Sequence, residues 1–241
     1  MQLSLRLSAI AEMVTEGSRL VDVGCDHGYL PIYLVLNQKI PGAIAMDVRK
    51  GPLCRAQEHI AEYDLTQYIE TRLSDGLGEL RPDEGDTLVL AGMGGPLMER
   101  ILTEGACVLR GFRELILQPQ SDIPHFRRFI RKKGYEIVQE ELILEEGKFY
   151  PMMKAVWAET ETMLPYTREE EAFGKLLLTK RHPVLKQYLE RELRIRAEIL
   201  NKLREAPGES AQKRLKEIEE EKQLIEAALD RYDSKRTECM A

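Results

Sequence analysis

Short apolar runs alternate with helical repeats of apolar and polar residues from Arg19 to Trp157. This alternation is typical of a parallel β-sheet covered by helices. Five runs predict the parallel strands: RLVDVG, AIAMDV, YIETRLSDG, DTLVLAGMGG and ELILQPQ. Helices are predicted over YLPIYLVLN, where Pro31 is tolerated because it lies in the first turn, and from Pro52 to Tyr63.

The segments that follow have different periodicities. YEIVQEELILEEGKFYPMMKAVW contains two extended runs joined by EEGK, which predicts a β-hairpin and an antiparallel edge of the sheet. Beyond Met163, helical spacing continues from Glu171 to Leu203 and from Ser210 to Tyr232, with Pro207-Gly208 between the two stretches. Helices joined by a short turn normally pack antiparallel, so we expect a helical hairpin or short coiled coil docked on the first domain.

These elements predict an α/β protein of two domains. We expect residues 1–160 to form a Rossmann-like domain with a mostly parallel sheet, and residues 161–241 to form a helical, coiled-coil-like domain. A chain of 241 residues is long enough for one complete α/β domain and a smaller second one.

Composition narrows the location and the partners. The cysteines are far apart and form no C-x-x-C pair, which favours a reducing cytoplasm and predicts no metal site; they are Cys25, Cys54, Cys107 and Cys239. The N-terminal MQLSLRLSAIAEMV is too short and too charged to span a bilayer, so we expect a soluble monomer away from membranes. A net charge of −6 disfavours binding nucleic acid over the whole surface but permits a local basic face.

The segment VDVGCDHGYLP carries the most chemical information, because a glycine turn follows a buried strand and opens a helix there. It lacks the G-x-G-x-x-G pattern of dinucleotide-binding proteins, which disfavours a nicotinamide-dependent oxidoreductase. Asp22 and Asp26 would repel a pyrophosphate at this turn. They favour a ligand with cationic ammonium and sulfonium groups, since opposite charges about 4 Å apart attract each other.

Polar and small residues also end the next three strands, where ligands of open α/β sheets collect. Asp47 ends the second strand and is placed to accept hydrogen bonds from a ribose diol. Ser74-Asp75-Gly76 ends the third strand and is suited to an adenine edge, and the glycines from Ala91 to Gly95 leave room beside the fourth. The ordered set predicts a nucleoside-cofactor site.

Each of these residues also has a purely structural explanation. Asp22 or Asp26 can cap the following helix, and Asp75 can be a turn residue. The glycines after the fourth strand can serve a tight strand-to-helix connection. Their occurrence at four successive strand ends favours the cofactor site.

With these motifs the chain resembles the bacterial tRNA (adenine(22)-N(1))-methyltransferases, a family of class I S-adenosylmethionine-dependent enzymes. The resemblance spans both domains and is carried by VDVGCDHGYLPIYL, AMDV, SDGL, AGMGG and QPQ, each at the end of a predicted strand. It implies S-adenosylmethionine as the methyl donor and N1 of adenine 22 in the D-arm region of tRNA as the acceptor. It also implies that the helical hairpin helps to hold the tRNA.

The resemblance further implies where the cofactor lies. Asp47 takes the ribose, Asp75 with Gly76 faces the adenine, and the first turn lines the methionine side. Together with the strand ends, the cofactor-binding residues are then Asp22, Gly24, Cys25, Asp26, His27, Gly28, Asp47, Ser74, Asp75, Gly76, Ala91, Gly92, Met93 and Gly94.

The chain lacks the D/N-P-P-Y motif in which methyltransferases of exocyclic amines resemble one another, and Gly92-Met93-Gly94-Gly95-Pro96 stands in its place. Adenine N1 already carries an in-plane lone pair, so alignment with the sulfonium methyl group is the main requirement. The product is cationic, which favours a nearby carboxylate, and Asp26 is the first catalytic candidate. His27 is the second, although a histidine in a turn is as often a hydrogen-bonding spacer.

Substrate contacts require stacking groups and cations. Tyr29 and Met93 are candidates for stacking on a splayed-out base, with packing inside the domain as the alternative. HFRRFIRKKGY places five cations on about two helical turns: Arg127, Arg128, Arg131, Lys132 and Lys133. They predict an RNA-binding face, or alternatively a solvated helix face. The first C-terminal helix adds further cations, but intervening glutamates interrupt any basic stripe.

Other functions remain open at this point. The enzyme could methylate another RNA or a small molecule, with the helical hairpin as a lid. A non-catalytic cofactor-binding scaffold is a further alternative, disfavoured by the acidic residues at the first two strands.

Overall fold

A computed structural model describes residues 1–158, 164–205 and 209–233. The chain divides into two compact units, Met1–Met163 and Leu164–Ala241. Cys239 and the predicted turn at Pro207-Gly208 lie outside the described residues. In the described ranges, no helix combines the length and the apolar character needed to cross a membrane.

The first unit contains a sheet of seven strands in the order β3-β2-β1-β4-β5-β7-β6. The first five are parallel to one another, and β7 is antiparallel to β5 and β6. Their bounds are β1 Leu20–Val23, β2 Ala43–Asp47, β3 Ile69–Leu73, β4 Thr87–Met93, β5 Glu114–Pro119, β6 Tyr135–Glu145 and β7 Lys148–Trp157. The predicted Rossmann-like sheet with an antiparallel edge hairpin is confirmed.

Burial explains why the parallel strands could be predicted. Every residue of β1, β2 and β5 is buried, as expected for strands covered by helices on both faces. Strand order reverses between β1 and β4, so a crevice opens where their carboxyl ends diverge. The strand ends that carry Asp22, Asp47 and Gly92 therefore meet at one edge.

Within residues 1–158, six helices belong to the first unit: α1 Leu5–Met13, α2 Tyr29–Leu36, α3 Lys50–Glu62, α4 Gly95–Glu104, α5 Ala106–Leu109 and α6 Ile123–Lys132. Helix α1 precedes the alternating pattern and had not been predicted. The Ser4 hydroxyl caps it by accepting a hydrogen bond from the Leu7 amide, and Ile10 and Met13 pack into the core. This helix brings the N-terminal segment to the carboxyl edge of the sheet.

The edge hairpin turns at Glu146 and Gly147, whose φ angles are 49° and 76°. Two consecutive left-handed residues match the right-handed twist of the flanking strands, and glycine adopts this conformation without steric cost. The turn pairs Glu145 with Lys148 and fixes the register of the two long strands.

The described part of the second unit contains four helices, α7 Arg168–Phe173, α8 Lys175–Thr179, α9 Pro183–Arg204 and α10 Glu209–Asp233. The predicted continuous helix from Glu171 to Leu203 is wrong, because Gly174 has φ 93° and Arg181 has φ 50°. Pro183 also disfavours helical geometry at His182, which has ψ 126°. The long pair α9 and α10 packs together through buried Leu and Ile residues, which confirms the predicted helix pair.

Candidate cofactor and active site

A cavity of about 770 Å³ lies at the carboxyl ends of β1 to β4 in the first unit. It brings together most of the residues predicted from the strand ends. Those on its wall are Asp22, Gly24, Cys25, Asp26, His27, Tyr29, Asp47, Ser74, Asp75, Gly76, Ala91, Gly92 and Met93. Its position is that expected for a ligand site in an open α/β sheet.

The turn after β1 is built from backbone conformations that few side chains permit. Gly24, Asp26 and Gly28 have φ angles of 78°, 48° and 71°. The amides of Gly24 and Cys25 both donate to the Met46 carbonyl, at 2.8 and 3.0 Å, which anchors the turn to β2. A Cβ at Gly24 would collide with the terminal methyl of Met93. The turn therefore depends on glycine chiefly for its φ angle, since the methyl that a Cβ would meet ends a flexible side chain.

Gly28 and Gly94, both predicted to bind the cofactor, are not among the residues on the cavity wall. Gly28 precedes α2, and a Cβ there would lie 3.3 Å from that of Ala56 on α3. Gly94 precedes α4, where a Cβ would lie 3.1 Å from the Ser121 hydroxyl. Both glycines lie where a side chain would crowd a neighbouring residue, and their contact with the cofactor stays a prediction.

Two buried carboxylates dominate the electrostatics of the cavity. Asp22 and Asp47 are 6% and 5% exposed. Burial, and then the negative charge of Asp47, raise the pKa of Asp22 to about 7, while the Arg6 guanidinium lowers it. Asp47 Oδ1 accepts a hydrogen bond from the Arg49 amide at 2.8 Å. Because like charges share a buried space here, a cationic ligand would relieve the repulsion between them.

Cys25 lies in the same acidic environment. Burial and the charges of Asp22 and Asp47 raise the pKa of its thiol well above the usual range. The thiol therefore stays protonated at neutral pH and is unsuited to act as a nucleophile.

The two catalytic candidates, Asp26 and His27, lie at the cavity rim beside other polar and aromatic groups. Asp26 is exposed, with Arg55 Nη2 3.6 Å from Oδ1 and His27 Nε2 3.7 Å from Oδ2. The rings of His27, Tyr29 and His59 stack, with neighbouring centroids 5.2 to 5.6 Å apart. Tyr29 is 40% exposed, so the prediction that places it at the surface of the site fits its position.

At the end of β3, the residues predicted to hold an adenine are linked to neighbouring elements. Arg100 on α4 forms an ion pair with Asp75, 2.9 Å from Nη2 to Oδ1, and holds the pKa of Asp75 below its usual value. The Ser74 hydroxyl donates to the Gly76 carbonyl at 3.0 Å. Ser74 therefore shapes the turn, while the exposed Asp75 is shared between Arg100 and the cavity.

Several cavity residues were not predicted from the sequence. Helix α1 and the segment before it contribute Gln2, Leu3, Ser4, Arg6 and Leu7, α4 contributes Leu97, Arg100 and Ile101, and the end of β5 contributes Gln120. Arg6 Nη1 donates to Gln118 Oε1 at 3.2 Å and its guanidinium lies 5.7 Å from the centre of the Tyr150 ring. Among these unpredicted residues, Gln120 is marked in the sequence by the QPQ motif at the end of β5.

Arg127 corrects the predicted basic face of α6. Its side chain is 2% exposed and its Nε lies 2.9 Å from Oε1 of Glu140, a residue that is equally buried. The prediction that Arg127 contacts RNA is wrong, because it lies on the core side of α6 beside Phe126 and Ile130. Arg128, Lys132 and Lys133 are exposed and Arg131 is half-buried.

The seven-stranded sheet and its acidic carboxyl-end cavity define a methyltransferase domain of the Rossmann-like class. In agreement, a family model described as a methyltransferase domain matches residues 3–153. The tRNA (adenine(22)-N(1))-methyltransferase of Bacillus subtilis is 31% identical over 233 residues, covering 95% of this chain and 98% of that protein. The chain belongs to the tRNA (adenine(22)-N(1))-methyltransferase family.

Solved structures agree with this assignment. The crystal structure of the B. subtilis m1A22 tRNA methyltransferase TrmK has a TM-score of 0.82 and 30% identity, covering 94% of this chain and 98% of that one. A Streptococcus pneumoniae protein solved in complex with S-adenosyl-L-methionine has a TM-score of 0.83 and 32% identity, covering 95% of this chain and all (100%) of the other. Both the sheet and the helical unit fall within these matches.

Proposed function

We propose that this protein transfers the methyl group of S-adenosylmethionine to N1 of adenine 22 in tRNA. The observation that carries the proposal is the buried acidic pair Asp22 and Asp47 at the switch point of a methyltransferase sheet. A relative of almost the same length is named for this reaction, and another was solved with S-adenosylmethionine bound.

The residues of the cavity fit this cofactor. Asp22 supplies negative charge for the cationic methionine portion, and Asp47 supplies an acceptor for the ribose hydroxyls. The glycine turn at Gly24 leaves backbone accessible, since any side chain there would meet Met93. Asp75 and Gly76 border the part of the cavity proposed for the adenine. When bound, the cofactor supplies an electrophilic methyl group on a sulfonium.

The chemistry required of the chain is mainly positioning. Adenine N1 attacks with its own lone pair, so no residue has to remove a proton from that atom before transfer. The methylated base carries a positive charge, which the acidic wall of the cavity stabilises. Asp26 at the rim is the proposed catalytic carboxylate, with Arg55 and His27 within 4 Å setting its position. Tyr29 is the proposed stacking surface for the flipped base.

The two domains have different roles in the proposed reaction. Residues 1–160 hold the cofactor and the target base, and residues 161–241 contact the tRNA. The exposed cations of α6, Arg128, Lys132 and Lys133, extend the RNA surface on the first domain. A tRNA substrate places the proposed reaction in the cytoplasm. We also propose that the enzyme acts as a monomer.

The test is methyl transfer from labelled S-adenosylmethionine to unmodified tRNA transcripts that carry adenine or guanine at position 22. Transfer to the adenine transcript alone supports the proposal. Cofactor binding without transfer to either transcript would retain the methyltransferase domain and redirect the substrate search to other RNAs or small molecules. Equal labelling of both transcripts would overturn the choice of nucleotide.

A further inference from the structure

The QPQ motif at the end of β5 places two glutamines in opposite environments. Gln118 is fully buried, and its Oε1 accepts hydrogen bonds from the Gly92 amide at 3.0 Å and from Arg6 Nη1 at 3.2 Å. Gln120, two residues later, is exposed and lies on the wall of the cavity. Gln118 therefore links the end of β5 to β4 and to Arg6. The side chain of Gln120, in contrast, is accessible to a ligand in the cavity.

The backbone around Gln120 is fixed to the end of β4. The backbone amide of Gln120 donates to the Met93 carbonyl at 2.8 Å, and the backbone amide of Gly95 donates to the Ser121 carbonyl at 3.3 Å. The side-chain nitrogen, Nε2, lies 3.8 Å from the position that a Cβ of Gly92 would occupy. The backbone of Gln120 is thus anchored to β4, and its side-chain amide lies beside Gly92, on the cavity wall formed by β4 and β5 and away from Asp47 on β2.

Building on the proposed function, we propose that Gln120 is the residue that selects adenine, by binding its Hoogsteen edge. The side-chain oxygen accepts a hydrogen bond from the adenine N6 amino group, and Nε2 donates one to N7. A glutamine amide matches this donor and acceptor pair in spacing and direction. N1 lies on the neighbouring Watson–Crick edge, so this contact leaves its lone pair free to attack the methyl group.

The same contact rejects guanine. Guanine presents two acceptors, O6 and N7, on its Hoogsteen edge, so the glutamine oxygen would face O6 without a hydrogen bond. Guanine N1 also carries a proton and has no in-plane lone pair to donate. Because the amide is neutral, Gln120 adds no positive charge next to the cationic product, unlike the lysine or arginine that reads guanine in other proteins.

The experiment compares wild type with Gln120→Leu on tRNA transcripts that carry adenine or 7-deazaadenine at position 22. The analogue keeps N1 and N6 but lacks the N7 acceptor. For wild type we expect kcat/KM to fall by about tenfold on the analogue, which corresponds to one lost hydrogen bond. For Gln120→Leu we expect a loss of about ten- to hundredfold on adenine, with no further fall on the analogue.

Two further variants separate recognition from folding. Gln120→Glu keeps an acceptor for N6 but places a carboxylate oxygen against the N7 lone pair, so its kcat/KM on adenine should fall at least as far as that of wild type falls on 7-deazaadenine. Gln67→Leu makes the same change at an exposed glutamine outside the cavity and should match wild type on both transcripts. Gln120→Leu and Gln67→Leu should bind S-adenosylmethionine with the Kd of wild type, because both changes are neutral and the proposed contact is with the base alone.

The outcomes distinguish this inference from the proposed function. Equal sensitivity of wild type and Gln120→Leu to 7-deazaadenine, or full activity of Gln120→Leu on adenine, would overturn the role of Gln120 while leaving the methyltransferase intact. Failure of wild type to methylate the adenine transcript would reject the proposed function and the inference with it.

Discussion

Asp22, one residue before the end of β1, is a buried acid whose pKa is raised to about 7 by burial and by Asp47. Above this pH the side chain is a carboxylate that attracts the cationic cofactor, and below it the protonated acid does not. We therefore predict that affinity for S-adenosylmethionine falls about tenfold between about pH 7.5 and about pH 6. Calorimetry at both pH values measures the change.

Asp22→Asn provides the control for this prediction. The amide cannot ionise, so its affinity should be weak and nearly independent of pH over the same range. Any remaining slope reports the α-amino group of the ligand itself, which titrates near about 8. A wild-type affinity that does not change with pH would show that Asp22 is not the group that binds the cation.

Asp47 gives a second prediction at a single residue. Asp47→Ala should weaken cofactor binding and leave the fold intact, because the carboxylate is the proposed acceptor for the ribose hydroxyls. Asp47 Oδ1 also accepts from the Arg49 amide, so the thermal midpoint should fall slightly. Asp47→Asn keeps an acceptor for that amide and should recover the stability but not the full affinity. Unchanged affinity in both variants would remove Asp47 from the site.

Cavity residues that lie in one continuous stretch of sequence could be predicted from that sequence. Asp22, Gly24 and Asp26 stand in a single strand-turn-helix segment, where the strand is apolar and the turn is rich in glycine. Arg6 and Gln120 reach the same cavity from α1 and β5, and only the topology of the sheet brings them there. The prediction that Arg127 contacts RNA was wrong because composition does not distinguish one buried cation from its exposed neighbours.

At the scale of elements, the turn between β1 and α2 depends on Gly24. An alanine there would have to adopt φ 78°, and its Cβ would collide with the terminal methyl of Met93. We predict that Gly24→Ala weakens cofactor binding more than tenfold in a protein that still folds, because alanine is strained at this φ angle and the turn must change its conformation to relieve that strain. Gly51→Ala is the matched control, since nothing lies within 4 Å of its Cβ position. Equal behaviour of the two variants would contradict this account of the turn.

Helix α6 yields a stability prediction. Arg127→Met removes the guanidinium that lies 2.9 Å from the buried carboxylate of Glu140, so the free energy of unfolding should fall by about 3–5 kcal/mol. Lys132→Met, on the exposed side of the same helix, should change it by less than about 0.5 kcal/mol. Denaturant titration measures both values. A KM for tRNA that rises in Arg127→Met, with no loss of stability, would restore Arg127 to the RNA surface.

Element boundaries show where periodicity was sufficient and where it was not. The buried parallel strands stood out as apolar runs, and the hairpin was marked by a short polar loop with a glycine. Helix α1 was missed because it precedes the alternating region. The predicted long helix was too long because its periodic pattern continues through Gly174 and Arg181, where the backbone adopts positive φ and the helix breaks.

At the scale of the whole molecule, a net charge of −6 requires that tRNA bind through local basic surfaces. We predict that Lys132→Glu with Lys133→Glu raises the KM for tRNA several-fold with little change in kcat. The slope of log affinity against log salt should decrease by about 1 for each phosphate contact that is lost. Lys132→Arg with Lys133→Arg keeps both charges and should match wild type. An unaltered KM in the glutamate variant would place the RNA elsewhere.

The proposed reaction modifies one atom of one nucleotide, so the decisive measurement is to map the transferred methyl group on the tRNA. The full chain is incubated with S-adenosylmethionine and an unmodified tRNA transcript that carries adenine 22, and fragments and nucleosides of the product are analysed by mass spectrometry. We expect a single added methyl group at adenine 22, recovered as N1-methyladenine. N6-methyladenine, a methyl group at another position, or an unmodified tRNA despite cofactor binding would contradict it.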